Sequence, residues 1–210
     1  MDLKISLSKY LLLCAIGFGL GGALWGWVLF KGIPEVEYPF HYLAIIIMGL
    51  FSGISLSLFS KNIKEISKAV LAGFLGFGVG FVVTAIFIYP LSILGMFLLS
   101  LIPFVEAKFI ILEPNIDISG FWILFLFIGA IIGLFYALFL KLKIWSLIWR
   151  TGLGFALGSL IGPIMGNLLG NLFNSLLVSY LITFSLMGII LGLFLGWGVY
   201  RNQRKIKGVP

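Results

Sequence analysis

Trp149–Gly170 reads WRTGLGFALGSLIGPIMGNLLG. After Arg150 the stretch carries no charge, and Gly154, Gly158, Gly162, Gly166 and Gly170 recur at every fourth position. Residues four apart share one face of a helix, and glycine on that face lets two backbones approach closely. About 20 uncharged residues are also what a helix rising ~1.5 Å per residue needs to cross ~30 Å of hydrocarbon. The stretch therefore predicts a membrane-spanning helix that packs through a small-residue face.

Working outward, the pattern repeats. Gly17-Phe18-Gly19-Leu20-Gly21 and Gly76-Phe77-Gly78-Val79-Gly80 match Gly154-Phe155-Ala156-Leu157-Gly158. Between them stand segments with a small residue at each fourth place: Gly49, Gly53 and Ser57, then Gly129, Gly133 and Ala137, then Gly188, Gly192 and Gly196. Odd and even segments alternate as three units, 10–60, 69–140 and 149–200. Each unit crosses the membrane twice, so the three share one orientation about an axis along the membrane normal.

Composition agrees with this class. Of 210 residues, 61% are hydrophobic and 10% are charged, against about 25% charged in an ordinary soluble domain. A soluble globule, a disordered chain and a disulfide-stapled secreted domain are excluded. Six spans are expected: about 10–30, 40–60, 69–90, 121–140, 149–169 and 179–200. The fold class is thus an all-α polytopic membrane protein of three tandem glycine-rich helical hairpins in parallel orientation. Cys14 is alone, which leaves no disulfide framework and no zinc site, and it reads as a lipid-buried packing residue. No cleavable signal is expected, because the apolar run from Tyr10 continues into a full span.

The net charge of +7 marks a membrane face, and no nucleic-acid partner is expected. Lys4, Lys9, Lys61, Lys64, Lys68, Lys141, Lys143, Arg150, Arg201, Arg204, Lys205 and Lys207 fall on one side; only Lys31 and Lys108 fall on the other. The positive-inside rule makes the rich side cytoplasmic, so both termini of this integral cell-membrane protein are expected there. Leu91–Val105, apolar but short and following Pro90, is expected to be an interfacial or re-entrant segment on the outer side. Lys141–Arg150, with Trp145 and Trp149 among its cations, has the composition of a helix end at headgroup level.

Chemistry is sparse. Tandem glycine-rich hairpins bring the chain near the proteolipid of rotary ATPases, but none of the six spans contains the mid-membrane Asp or Glu that such a rotor requires. The same absence argues against ion coupling through an intramembrane charge. His41 is the single histidine and lies more than ten residues from Ser52 and Ser55, so no metal, no cofactor and no catalytic residue is expected. The chain does not read as an enzyme. Asn167, Asn171 and Asn174 align three amides at the outer end of span five. With His41 they are the candidate ligand contacts, set against the plainer reading that the amides tie or hydrate a helix exit. Ser52, Ser55, Ser57, Thr84 and Thr183 are expected to bond carbonyls of their own helices.

Two functions fit. The first is a small membrane transport component binding a small neutral solute in an outward-facing vestibule bordered by the asparagine face and the Leu91–Gly120 connection. In size, six-span topology, uncharged interior and small-residue face the chain is similar to the substrate-binding components of energy-coupling-factor importers, although no motif is shared residue by residue. The second is a non-catalytic membrane subunit or scaffold. Its glycine faces would bind partner helices, those of other membrane subunits or of a second copy.

Overall fold

The computed structural model describes residues 6–32, 39–58, 60, 62–87, 90, 94 and 122–206. These form six helices: α1 (Leu7–Gly32), α2 (Pro39–Ser57), α3 (Ile63–Ile86), α4 (Trp122–Leu140), α5 (Ile144–Leu172) and α6 (Leu176–Ile206). No strand occurs among the described residues. Apart from Leu94, the Leu91–Val105 segment and the whole outer connection to Gly120 lie outside them.

Local signals account for the helix boundaries. Pro39 opens α2 at a position where its missing N–H costs nothing. Asn62 caps α3, its side chain accepting from the Lys64 N–H at 3.0 Å, with Glu65 in the first turn. The ends of α4 and α5 close alike. Lys141 (φ 54°) and Asn174 (φ 47°) take the left-handed conformation. The next N–H reaches back five residues in each, Leu142 to the Ala137 carbonyl and Ser175 to the Gly170 carbonyl. The short connections that follow fold α5 back on α4 and α6 back on α5.

Five helices are long and apolar enough to cross a membrane: Leu7–Lys31, Ile63–Thr84, Trp122–Leu140, Ile144–Leu172 and Leu176–Arg204. The described part of α2 adds a shorter apolar run, Ile45–Ser57. The outer surface is apolar as well. Leu12, Leu20, Leu168 and Leu172 are all exposed, a distribution that water would penalise and lipid accepts. The chain is a multi-pass helical protein with the composition of a membrane resident.

The helices form a ring in chain order. Each packs chiefly against its two sequence neighbours, and α6 returns to α1 to close the circle. Glycine sets the separation at every seam. A Cβ on Gly49 would stand 2.7 Å from the Gly73 carbonyl oxygen, and one on Gly53 2.6 Å from that of Ala69. On α4, Gly129 faces Thr151 and Gly152, and Gly133 faces Leu147. On α6, Gly188, Gly192 and Gly196 face Phe18 and Cys14 of α1. Gly17 and Gly21 meet α2, Gly76 and Gly80 meet α4, and Gly154, Gly158 and Gly162 meet α6.

Inside the ring the axis is filled. Phe18, Phe77 and Phe155 have no exposed surface, and Met48, Ile128 and Met187 are buried beside them. Toward the lysine-rich end lie Cys14, Thr151, Ile132, Leu191 and Tyr136, then Tyr10, Leu147, Leu195 and Val199. Toward the opposite end Trp25 of α1 meets Phe81 of α3 edge-on at 5.3 Å and Phe184 of α6 at 4.5 Å. The described residues thus enclose a core of buried, mostly apolar side chains.

Candidate functional site

Three polar features stand out against this apolar ring. The first is buried at its centre. Ser52 donates its hydroxyl to the Gly49 carbonyl at 2.7 Å, so its contact with the Tyr136 hydroxyl at 2.8 Å has tyrosine as donor. Gly73 makes the meeting possible, since a Cβ there would lie 2.7 Å from the tyrosine oxygen and 2.8 Å from Ser52 Oγ. Tyr10 donates to the Leu56 carbonyl at 3.3 Å. These groups satisfy one another, and the network ties α2 to α4 across the ring.

The second is the asparagine face, whose three amides diverge. Asn167 accepts from Ser179 Oγ at 3.1 Å and so ties α5 to α6. Its Nδ2 is buried without a partner, as is Oγ1 of Thr183 nearby on α6. Asn171 is exposed, and its backbone carbonyl receives the N–H groups of Phe173 and Asn174 at the helix end. Asn174 is the left-handed residue that ends α5, a place where asparagine is favoured for its local backbone compatibility. Helix termination and a helix–helix tie thus account for much of this cluster. His41 lies in the first turn of α2, with its side chain outside the described residues.

The third feature was not legible in the sequence. A cavity of about 230 Å³ opens at the lysine-rich end between the ends of α2, α3, α4 and α6. Ser57, Ser60, Glu65, Lys68, Lys141 and Gln203 supply its polar lining, and Leu56 and Ala69 contribute apolar wall. Glu65 is held in place by Ser60 Oγ at 2.6 Å, and Ser60 Oγ in turn accepts from the Asn62 N–H at 3.3 Å. Ser57 bonds back to the Gly53 carbonyl at 2.8 Å. One carboxylate, two ammonium groups, hydroxyls and an amide converge there. Such a set can bind a polar solute carrying an acidic group, and it presents no activated nucleophile.

No protein-family model, curated protein or solved structure matches this chain. Among the described residues no three His, Cys, Asp or Glu side chains gather as metal ligands. The serine and threonine reading holds for Ser52, Ser55, Ser57 and Thr84, which bond Gly49, Ser52, Gly53 and Gly80 carbonyls of their own helices. Thr183, with its unpartnered hydroxyl, departs from it. Tyr136, Gly73 and Gln203 carry no signal in the sequence, because each gains its role only from a residue on another helix.

Proposed function

We propose that this protein is a small membrane transport component that binds a small polar solute in a cavity at its lysine-rich end. The observation that carries this is the cavity at the lysine-rich end, a polar cup at the mouth of a ring whose buried interior is mostly apolar. By the lysine and arginine bias that mouth is cytoplasmic, with both termini on the same side. Ligand sites in helical bundles lie between helices and pair an apolar wall with a few placed polar groups, as this cavity does. Lys68 and Lys141 favour a solute with a carboxylate or phosphate, and Glu65 adds an acceptor for a donor group on it. The outer vestibule expected from the sequence has its long wall in 91–120, outside the described residues.

We further propose that the ring is built from three tandem hairpins, 10–60, 69–140 and 149–200. The support is positional. Gly17 and Gly154 face Ser55 and Phe194, each six residues beyond the first glycine of the paired even helix, and Gly76 faces Ile132 with the corresponding Phe135 Cβ next at 3.4 Å. Gly21, Gly80 and Gly158 face Met48, Ile128 and Met187, each one residue before that glycine. The closing seam departs from the pattern by one turn. The carbonyls of Gly73 and Thr151 approach Gly49 and Gly129, whereas the corresponding Cys14 carbonyl approaches Gly192, four residues beyond the matching Gly188.

The scaffold alternative depends on glycine faces open to partner helices. In the described residues those faces meet the chain's own neighbouring helices, and Gly78 is the one among glycines with described surroundings that has open space around its Cβ position. This favours the solute-binding reading. The test is mass spectrometry of small molecules released from protein purified in mild detergent, wild type against a Lys68→Gln/Lys141→Gln double variant. A bound acidic metabolite in the wild type, lost in the variant, is expected. No bound molecule, or equal amounts in both, would count against the cavity; a stable membrane partner purified without ligand would favour the scaffold.

A further inference from the structure

The lysine-rich end carries a second feature, on the outside of the ring where α5 and α6 meet. Arg150 of α5 and Arg201 of α6 converge on one indole, their guanidinium carbons 4.5 Å and 5.9 Å from the Trp197 ring centroid. Arg150 donates to Ser146 Oγ, which also receives Asn202 Nδ2 at 3.4 Å, so the guanidinium is anchored from both helices. Gly198 leaves room for its stem: a Cβ there would lie 3.5 Å from Arg150 Cδ. Two like charges are thus drawn together. Glu65, the one acidic side chain among the described residues, is engaged by Ser60 at the cavity mouth, and neither arginine has a carboxylate partner among those residues.

The surface beyond the arginines changes character along the helices. Trp149, Leu153 and Leu157 on α5 are exposed at four-residue spacing, and Leu193 and Trp197 on α6 likewise. Residues so spaced lie along one face. A cationic clamp therefore stands at the head of an apolar track that leads toward the middle of the bundle. Trp145, 66% exposed, packs edge-on to Trp149 at 5.9 Å, and such indoles sit at headgroup level.

From this geometry we propose that Arg150 and Arg201 bind the phosphate of an anionic glycerophospholipid in the leaflet at the lysine-rich end, with an acyl chain lying along Leu153, Leu157 and Leu193. Arginine suits the task because its planar fork meets phosphate oxygens in pairs while its face stacks on an aromatic ring. The bound phosphate removes the repulsion between the two guanidinium groups. The track distinguishes a lipid from a free anion, since only a lipid gains from both ends of the site. This site is separate from the solute cavity, which opens between α2, α3, α4 and α6.

The test is native mass spectrometry of the full chain in detergent, titrated with phosphatidylglycerol, with phosphatidylcholine and with inorganic phosphate. Wild type should retain one phosphatidylglycerol with an affinity about tenfold or more above that for phosphatidylcholine, since each basic group near the surface adds appreciably to the attraction. Arg150→Gln/Arg201→Gln should abolish that preference. Lys9→Gln/Lys64→Gln, which removes two charges from the same end, should leave it intact. Should the double arginine variant fail to fold, Arg201→Gln alone, at an exposed position, is expected to reduce the preference measurably. Equal binding of the two lipids, equal loss in the lysine control, or full displacement by inorganic phosphate would overturn the proposal.

Discussion

Gly53→Ala adds one methyl group at the tightest kind of contact in this ring. The new Cβ would stand 2.6 Å from the Ala69 carbonyl oxygen and 2.7 Å from the Val70 nitrogen, with the Val70 Cα closer still. All three are backbone atoms of α3, so no side-chain rotation relieves the overlap, and α2 and α3 must separate by several tenths of an ångström. Overfilling of this kind costs ~1–3 kcal/mol, while alanine regains ~1 kcal/mol of helix preference over glycine. A net loss of up to ~2 kcal/mol is expected, which in a chain of this size lowers the unfolding midpoint by up to ~8 °C. Gly78→Ala is the matched control, because nothing lies within 4 Å of its Cβ position; it should gain up to ~1 kcal/mol. The assay is thermal unfolding in detergent followed by tryptophan fluorescence. Equal midpoints for the two variants, or a higher one for Gly53→Ala, would refute the reasoning from close approach.

Tyr136→Phe and Ser52→Ala should each lower stability by ~0.5–1.5 kcal/mol in the same assay, and the double variant by less than their sum, because both remove one shared hydrogen bond. Asn174→Val should cost ~1–2 kcal/mol by forcing a branched residue into the left-handed conformation, whereas Asn174→Gly should be neutral or better. Asn171→Leu should change stability by no more than ~0.5 kcal/mol, since its side chain is exposed and the helix end uses only its carbonyl. Reporter fusions after Lys143 should read cytoplasmic and those after Asn174 external; the same side for both would contradict the hairpin formed by α5 and α6.

The helices were legible because lipid demands long uncharged runs, and charges mark where those runs leave it. The expected spans 149–169 and 179–200 fall inside α5 and α6, which extend further because Ile144–Ile148 and Arg201–Ile206 continue the helices at their basic ends. Four-residue spacing put the glycines on helix faces, but it could not say which helix each face meets. Gly188 and Gly49 look alike in sequence, yet at their respective seams they meet different turns of the facing helix. Tyr136 reads as one more apolar aromatic until Ser52, 84 positions away, is found beside it. The cavity was illegible for the same reason, since it exists only where Lys68 of α3, Lys141 in the turn after α4 and Gln203 of α6 are gathered. Spacing aligns Asn174 with Asn167 and Asn171, but it does not show that Asn174 takes the left-handed conformation that ends α5.

Ring closure, with α6 seated on α1, is most directly tested by the chain's own cysteine. A Cβ placed on Gly196 would lie 2.9 Å from Cys14 Sγ and 3.0 Å from Cys14 Cβ, near the ~3.5–4.5 Å between Cβ atoms that a disulfide requires. Gly196→Cys, oxidised mildly in membranes and digested between α3 and α4, should keep its two halves joined until reductant is added. Leu168→Cys, exposed on α5 and in the same half as Gly196, should give halves that separate. Separation of the Gly196→Cys halves under oxidising conditions would mean that α6 does not lie on α1, and the ring would be open.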